Sequence, residues 1–171
     1  LEQDRVAEVC LAMLALKTGA LTGFAMVLGG LIAGADERTT AVLDDFGRDL
    51  GVALQMFDDI GNVTGVRDPT KQYEDFILRR PSFAWAWAAD NSSRKSYSQF
   101  VGAIANLPDS KEIGSWLAQH DLVAAGKASA TRHMENAFTT LKKHLDERRI
   151  PWSRCAYDEL RALGEEIAVA Y

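Results

Sequence analysis

The feature that most constrains the fold is the helical periodicity of residues 39–62. Apolar side chains recur there every three or four residues, so they share one side of an α-helix. A strand would instead alternate apolar and polar residues, and no stretch of this sequence alternates for long enough. Residues 39–62 are therefore predicted to form a helix that buries one side in a core. The apolar positions are Leu43, Phe46, Leu50, Ala53, Leu54, Phe57 and Ile60.

The opposite side of this helix carries a narrow stripe of carboxylates and amides. At about 100° per residue, Gln55, Asp58, Asp59 and Asn62 fall on one arc. Carboxylate and amide oxygens are hard ligands of the kind that Mg²⁺ prefers. The stripe is either part of a magnesium site or a polar face in contact with solvent, and its spacing alone does not separate the two.

Three glycines interrupt the same helix, at Gly47, Gly51 and Gly61. Each glycine costs about 1 kcal/mol of helix stability relative to alanine. That cost predicts that another part of the molecule approaches the helix closely at these positions.

The rest of the sequence is also predicted to be helical, with breaks at proline- and glycine-containing turns. Ser110 and Ser153 are predicted to cap the helices that follow them. The chain is therefore predicted to be an all-α helical bundle, and its 171 residues suffice for one domain. The further helices are predicted at residues 4–17, 18–35, 82–89, 94–106, 111–120, 122–149 and 154–170.

Residues 18–35 contain no charged side chain, which raises the question of a membrane span. A run of about 18 residues is the lower limit for such a span. The many glycines and few large aliphatic residues favour instead a helix buried at the centre of an all-helical protein. An integral membrane protein is therefore not expected. Lys17, at the start of the run, either extends to water or faces an anionic ligand.

Charge and cysteine content exclude some classes of protein. A net charge of −5 and a pI near 5.2 argue against nucleic-acid binding, because no basic face is available for phosphate contacts. Cys10 and Cys155 lack metal-ligand spacing and are predicted to be buried free thiols, as suits a reducing compartment. No signal peptide is expected, so the predicted location is the cytoplasm.

Two basic positions after the long helix could serve an anionic substrate. Lys71 lies in a predicted loop that could reach the carboxylate stripe, and Arg80 could bind phosphate or pair with Glu74 and Asp75. Together with Lys17 and a bound Mg²⁺, these groups suit a substrate with a diphosphate head and an apolar tail. Their positive charge would stabilise a departing diphosphate.

These motifs resemble, in order and spacing, the second half of the trans-isoprenyl diphosphate synthases, the polyprenyl synthetase family. The later stretch from Asp75 to Ala84 is similar to that family's Asp-Leu-x-x-x-Lys-x-Thr-Leu-Pro run. The motifs that match are Lys17-Thr18, the glycine-rich residues 28–35, and Phe46-Gly47 followed by Gln55 and Asp58-Asp59.

The resemblance implies a helical bundle around a cavity and a Mg²⁺-dependent condensation of isopentenyl diphosphate with an allylic diphosphate. It also implies a role for each matched residue. Asp58, Asp59 and, in the place of a third aspartate, Asn62 would bind Mg²⁺; Lys17, Thr18 and Gln55 would act in catalysis and, with Lys71 and Arg80, bind the substrate.

The sequence also departs from the family pattern. The amide of Asn62 lacks the charge of the usual aspartate, and the family's first aspartate-rich motif has no counterpart in this sequence. We therefore expect a single helical domain or a fragment without the family's N-terminal half, inactive on its own. A homodimer, or association with that half, is the expected assembly. A terpene cyclase acting on an allylic diphosphate, and a non-catalytic helical subunit or degenerate homologue, are the alternatives.

Overall fold

The computed structural model describes residues 2–171, and every regular element among them is helical. The all-α prediction is confirmed. The first half contains α1 (Gln3–Leu14), a π-helical turn (Ala15–Gly19), α2 (Ala20–Ile32), α3 (Glu37–Thr64), a 3₁₀ turn (Pro69–Lys71) and α4 (Glu74–Ile77). The second half contains α5 (Phe83–Asn91), α6 (Arg94–Ala105), α7 (Lys111–Gln119), α8 (Leu122–Glu147) and α9 (Arg154–Val169).

The helices form two compact units. The first unit contains the chain up to Met13, then Met56–Ser129, and Tyr171; the second contains Leu14–Gln55 and Ala130–Ala170. Helices α1, α3 and α8 therefore contribute residues to both units. The prediction of a single domain stays a prediction.

An aromatic cluster forms the core of the first unit. Phe100 is fully buried, and its ring contacts those of Phe76, Trp85 and Trp116 at centroid distances of 5.4, 5.1 and 4.7 Å. Phe76 and Trp85 meet Phe100 edge to face, and such pairs add about 0.5–1.5 kcal/mol each beyond the apolar area they bury. The cluster fixes α4 to α7 relative to one another and so supports the loop that follows α3.

The core of the second unit lies where α3, α8 and α9 meet. The rings of Phe46 and Phe138 contact each other edge to face at 5.1 Å. The Tyr157 hydroxyl donates a hydrogen bond to the backbone carbonyl of Phe138 at 3.1 Å. Phe46 was one of the predicted core positions of the long helix, and it is 3% exposed.

The glycines of α3 mark close helix approaches, as predicted. In the second unit, a Cβ on Gly51 would lie 2.7 Å from the carbonyl oxygen of Thr18. A Cβ on Gly47 would lie 2.8 Å from the Cα of Gly23. Because both neighbours are backbone atoms, only glycine allows the π-helical turn and α2 to approach α3 this closely.

The uncharged stretch 18–35 differs from its prediction, because it is exposed rather than buried at the centre. Leu21, Phe24 and Leu31 are 67%, 62% and 57% exposed. Within the continuous helix Gln3–Ile32, the most apolar 18-residue window has a mean hydropathy of 1.7, and only 17% of that window is buried. By length and composition it could cross a membrane, although core helices and signal sequences have the same properties. The hydropathy of this stretch predicted that its apolar side chains prefer burial, but not which surface would bury them.

Candidate functional site

The last turns of α3 carry two adjacent aspartates that lie in different environments. The Asp58 carboxylate is exposed, and its Oδ1 accepts a hydrogen bond from the Tyr171 hydroxyl at 3.0 Å. Asp59 is 4% exposed, and its Oδ2 accepts a hydrogen bond from the backbone N–H of Phe83 at 2.5 Å. Asp58 is thus available to a ligand from solvent, whereas Asp59 faces the interior of the first unit.

Asp59 supports the start of α5. Ser82 stands at the N-cap position of that helix but makes no side-chain capping bond, and Phe83 is the first helical residue. The Asp59 carboxylate satisfies the free N–H of Phe83 in its place. A negative charge at a helix N-terminus also interacts favourably with the helix dipole.

Asn62 holds the loop after α3 in place. Its side-chain NH₂ donates to the carbonyl of Lys71 at 3.0 Å, and its Oδ1 accepts from the N–H of Asp75 at 3.3 Å. The backbone carbonyl of Asn62 also accepts from Tyr73 at 3.0 Å. The amide oxygen that could bind a cation is therefore engaged with the backbone of this loop.

The two predicted basic residues of the first unit pair with acids. The ammonium of Lys71 lies 3.7 Å from Asp68, and both side chains are solvent-accessible. Arg80 contacts Glu74 at 3.3 Å and Asp75 at 3.5 Å. The accessible Lys71–Asp68 and Arg80–Glu74 pairs contribute about 0–1 kcal/mol each, so the two cations can exchange these acids for a phosphate at little cost.

Asp75 is the acidic partner of Arg80, and the periodicity of α3 could not reveal it. Burial raises the pKa of its carboxyl, the nearby Arg80 guanidinium opposes this rise, and the negative charge of Asp58 adds to it. The sequence signal for Asp75 was its place in the later of the family-like motifs.

A cavity of about 300 Å³ opens beside Arg80. Its walls are mostly apolar, and Arg79 and Arg80 contribute the two cationic groups. Cys10 lies in the wall, where burial raises the pKa of its thiol. The other wall residues are Val6, Val9, Pro81, Trp85, Tyr97 and Val101.

The cysteine prediction is confirmed in part. Both thiols are free, and Cys10 is buried, whereas Cys155 is exposed on α9. The prediction of burial was wrong for Cys155, whose Sγ contacts the Glu159 carboxylate at 3.4 Å on the accessible side of the helix.

The second unit brings together two of the other predicted site residues. The Thr18 hydroxyl donates to the side-chain oxygen of Gln55 at 2.5 Å. Thr18 and Lys17 lie in the π-helical turn, a distortion that occurs frequently at functional sites. Lys17 is exposed, so its ammonium can bind an anion from solvent.

The predicted metal ligands fit Mg²⁺ in a limited way. Within residues 2–171, no group of three or more His, Cys, Asp or Glu side chains is arranged to hold a metal ion. Mg²⁺ is commonly held by one or two carboxylates together with water and substrate phosphates. The exposed carboxylate of Asp58 suits that mode. Asp59 and Asn62 contact backbone groups, and their role as metal ligands stays a prediction.

Comparison with known proteins defines the class first. The fold matches a solved polyprenyl synthase from Roseobacter denitrificans with a TM-score of 0.72, over 96% of this chain and 53% of that one, at 24% identity. The fold is thus the all-α isoprenoid-synthase type. The polyprenyl synthetase family model matches residues 2–117. The chain belongs to the polyprenyl synthetase family, which confirms the resemblance.

Two curated relatives are similar in sequence. A geranylgeranyl diphosphate synthase of Mycobacterium tuberculosis is 49% identical over 99 residues, which cover 57% of this chain and 28% of that protein. A geranylfarnesyl diphosphate synthase of Aeropyrum pernix is 27% identical over 135 residues, which cover 78% of this chain and 42% of that protein. The chain thus matches less than half the length of either relative.

Proposed function

We propose that this chain provides the diphosphate-binding half of a Mg²⁺-dependent prenyltransferase, which condenses isopentenyl diphosphate with an allylic diphosphate. The observation that carries the proposal is the family match over residues 2–117, which includes every predicted site residue from Lys17 to Arg80. The matched curated relatives are named as prenyl diphosphate synthases, and that activity comes to this chain as part of the proposal.

The chemistry follows from the charges along the matched region. Bound Mg²⁺ would supply positive charge to the leaving diphosphate, and the exposed Asp58 carboxylate is the residue suited to hold it. Lys17 and Lys71 are exposed cations on flexible stems and would bind the terminal phosphate oxygens. The Thr18–Gln55 hydrogen bond fixes two polar groups close in sequence to Lys17, so that these groups of the second unit are ordered before a substrate binds.

A terpene cyclase is the second candidate, and Asn62 favours it. Cyclases of this chemistry more often mix Asn with Asp in their metal motifs, whereas the family's chain-elongating enzymes end the second motif with Asp. A cyclase would ionise an allylic diphosphate without a second substrate. A non-catalytic subunit is the third candidate, since Asp59 and Asn62 both act on backbone groups in the first unit.

The assembly and location form part of the same proposal. We infer that a second copy of the chain, or the family's N-terminal half, covers the exposed apolar side of α2. Such cover is needed because contiguous apolar patches are rarely left open to water. The cytoplasm is the proposed location, as expected for an acidic chain with free thiols.

The test is diphosphate release by the product of the complete gene, with an allylic diphosphate, with or without isopentenyl diphosphate, over a range of Mg²⁺ concentrations. We expect release to require both substrates and to fall at least about 100-fold in Asp58→Asn. Asp49→Asn is the matched control, because Asp49 is an exposed aspartate on the same helix.

Each other result separates the candidates. Release with the allylic substrate alone would identify a cyclase. No release at any Mg²⁺ concentration would favour the non-catalytic subunit. Equal activity in Asp58→Asn and wild type would contradict the assignment of Asp58 to the metal.

A further inference from the structure

Tyr171 lies outside residues 2–117, which the family model matches, and it contacts the end of α3 and the loop after it. Its hydroxyl donates to Oδ1 of Asp58 at 3.0 Å. Nη1 of Arg67 donates to the same hydroxyl at 2.5 Å. The Arg67 guanidinium also lies over the tyrosine ring, 4.7 Å from its centroid. We call Arg67 and Tyr171 together the Arg67–Tyr171 arm; all its contacts lie within the first unit.

The arm fixes the direction of the hydrogen bond to Asp58. A tyrosine hydroxyl has one proton to donate. The Arg67 N–H donates to the hydroxyl oxygen, and the hydroxyl proton is therefore directed at Asp58. A carboxylate whose Oδ1 is held in this way has fewer accessible rotamers, so its orientation is fixed before a cation binds.

Gly61 provides the space for the ring. A Cβ on Gly61 would collide with Cδ1 of Tyr171 and lie 2.8 Å from Cε1. The tyrosine ring therefore explains why a glycine occurs at position 61, although glycine in a helix interior costs about 1 kcal/mol of stability relative to alanine. The position therefore fits the close approach of an aromatic ring one turn after Asp58.

We propose that Tyr171, held by Arg67, is a positioning residue for the Asp58 carboxylate as a metal ligand. The inference rests on the proposed function, since it assigns Asp58 to a divalent cation. Hydrogen bonds from neighbouring residues orient metal-binding carboxylates and strengthen binding, and removing such a partner typically weakens metal affinity by about 10–100-fold. Tyr171 acts through Asp58 and contacts no reacting atom.

The test measures Mn²⁺ binding to this chain, with and without inorganic diphosphate, by electron paramagnetic resonance of the free ion. Tyr171→Phe keeps the ring over Gly61 and under Arg67 and removes only the hydroxyl. We expect its Mn²⁺ dissociation constant to rise about tenfold. Tyr157→Phe is the matched control: it loses a 3.1 Å hydrogen bond to a backbone carbonyl in the second unit and is expected to bind Mn²⁺ like wild type.

A second pair of variants tests the packing of the Tyr171 ring against Gly61. Gly61→Ala places a methyl group where the ring lies and is expected to weaken Mn²⁺ binding at least as much as Tyr171→Phe. Gly102→Ala is its control, because a Cβ there meets nothing within 4 Å. Circular dichroism of each variant checks that the helices are retained.

The outcomes separate this inference from the proposed function. If Asp58→Asn loses Mn²⁺ while Tyr171→Phe binds it as tightly as wild type, the positioning role is wrong and the metal assignment stands. If wild type binds no Mn²⁺, or Asp58→Asn binds it unchanged, the metal assignment fails and the positioning role fails with it.

Discussion

Asp58 and Asp59 are neighbours in sequence with opposite exposures, and this difference gives them different effects on stability. Asp59→Ala removes the acceptor of the buried Phe83 N–H. A buried donor left without a partner costs about 1–3 kcal/mol, so we expect the variant to unfold at clearly lower urea concentration. Asp58→Ala alters an exposed side chain and is expected to change the free energy of unfolding by less than about 1 kcal/mol.

Comparison of Asp58→Ala with Asp59→Ala tests whether the Asp59 carboxylate supports the start of α5. Equal stability losses in both would mean that Asp59 does not support the start of α5. A far-UV circular dichroism melt of each variant gives the comparison directly.

Cys10 gives a pH dependence whose sign follows from its burial. Burial is the largest cause that raises its thiol pKa above 9.0, and the negative charge of Asp59 adds to it, while a backbone hydrogen bond from Ser82 opposes it. Above the unfolded pKa the unfolded thiol ionises while the folded thiol keeps its proton. The folded state then binds more protons, and its stability falls as pH rises.

We therefore expect the loss of stability in Cys10→Ala to shrink between about pH 8 and about pH 10. Urea unfolding of the variant and wild type at both pH values measures this difference. Cys155→Ala is the control, since its exposed side chain is expected to contribute little at either pH. A constant difference for Cys10→Ala would show that the thiol does not ionise on unfolding.

At the scale of single residues, periodicity located the polar stripe but could not separate its members. Asp58 and Asp59 both fall on the front of α3, yet the partner of Asp59 lies 24 residues further along the chain and Tyr171 lies 113 residues beyond Asp58. Contacts at such separations leave no periodic signal. Gly61 was the one local sign that a side chain approaches the helix there.

At the scale of helices, the crossing of α2 with α3 depends on glycine. A methyl group at Gly51 would lie 2.7 Å from both the Thr18 carbonyl oxygen and the Thr22 hydroxyl. We expect Gly51→Ala to destabilise the second unit by about 2 kcal/mol, as overpacking typically does, and to disturb the Thr18–Gln55 bond.

Gly29→Ala is the matched control on the same pair of elements. A Cβ there meets nothing within 4 Å, so the better helix propensity of alanine is expected to stabilise the chain by about 0.5–1 kcal/mol. Thermal unfolding of both variants tests the pair. Stabilisation by Gly51→Ala would contradict the close crossing.

Helix boundaries were predicted where local chemistry decides them. The Ser153 side chain accepts from the N–H of Ala156, as predicted for an N-cap. The cap predicted at Ser110 was wrong: Asp109 accepts from the N–H of Lys111 instead. The predicted break between residues 17 and 18 was also wrong, because the helix continues from Gln3 to Ile32 through a π-helical turn.

At the scale of the whole molecule, sequence predicted the fold class and the family but not which surfaces are covered. The predicted core positions of α3 from Phe46 to Ile60 lie on a helix that packs against other helices of the same chain. The uncharged run that forms α2 has the same apolar character, yet its outer side is exposed. Hydropathy measures a preference for burial, and the partner that satisfies it is set by the assembly.

The exposed side of α2 has the spacing of a helix–helix interface. Leu21, Phe24, Leu28 and Leu31 follow one another at intervals of three and four residues, which places them in one stripe along the helix. Repeats of this kind associate with a matching stripe on a second helix. We expect the chain to self-associate in solution at micromolar concentrations, and we expect Phe24→Lys combined with Leu28→Lys to shift it to the monomer in sedimentation velocity.

Leu163→Lys is the control for added charge, because Leu163 is 53% exposed on α9 and lies outside the stripe. It is expected to leave the association unchanged. A monomeric wild-type chain would contradict self-association, and flotation of that monomer with lipid vesicles would show that the stripe faces a membrane. Formation of a complex with the family's N-terminal half, supplied as a separate chain, in place of self-association would identify that half as the cover. A lysine within a buried stripe must lose its hydration, which is unfavourable. The double variant is therefore expected to lose contact with the covering surface, whether that surface is a second copy of the chain, a membrane or the family's N-terminal half.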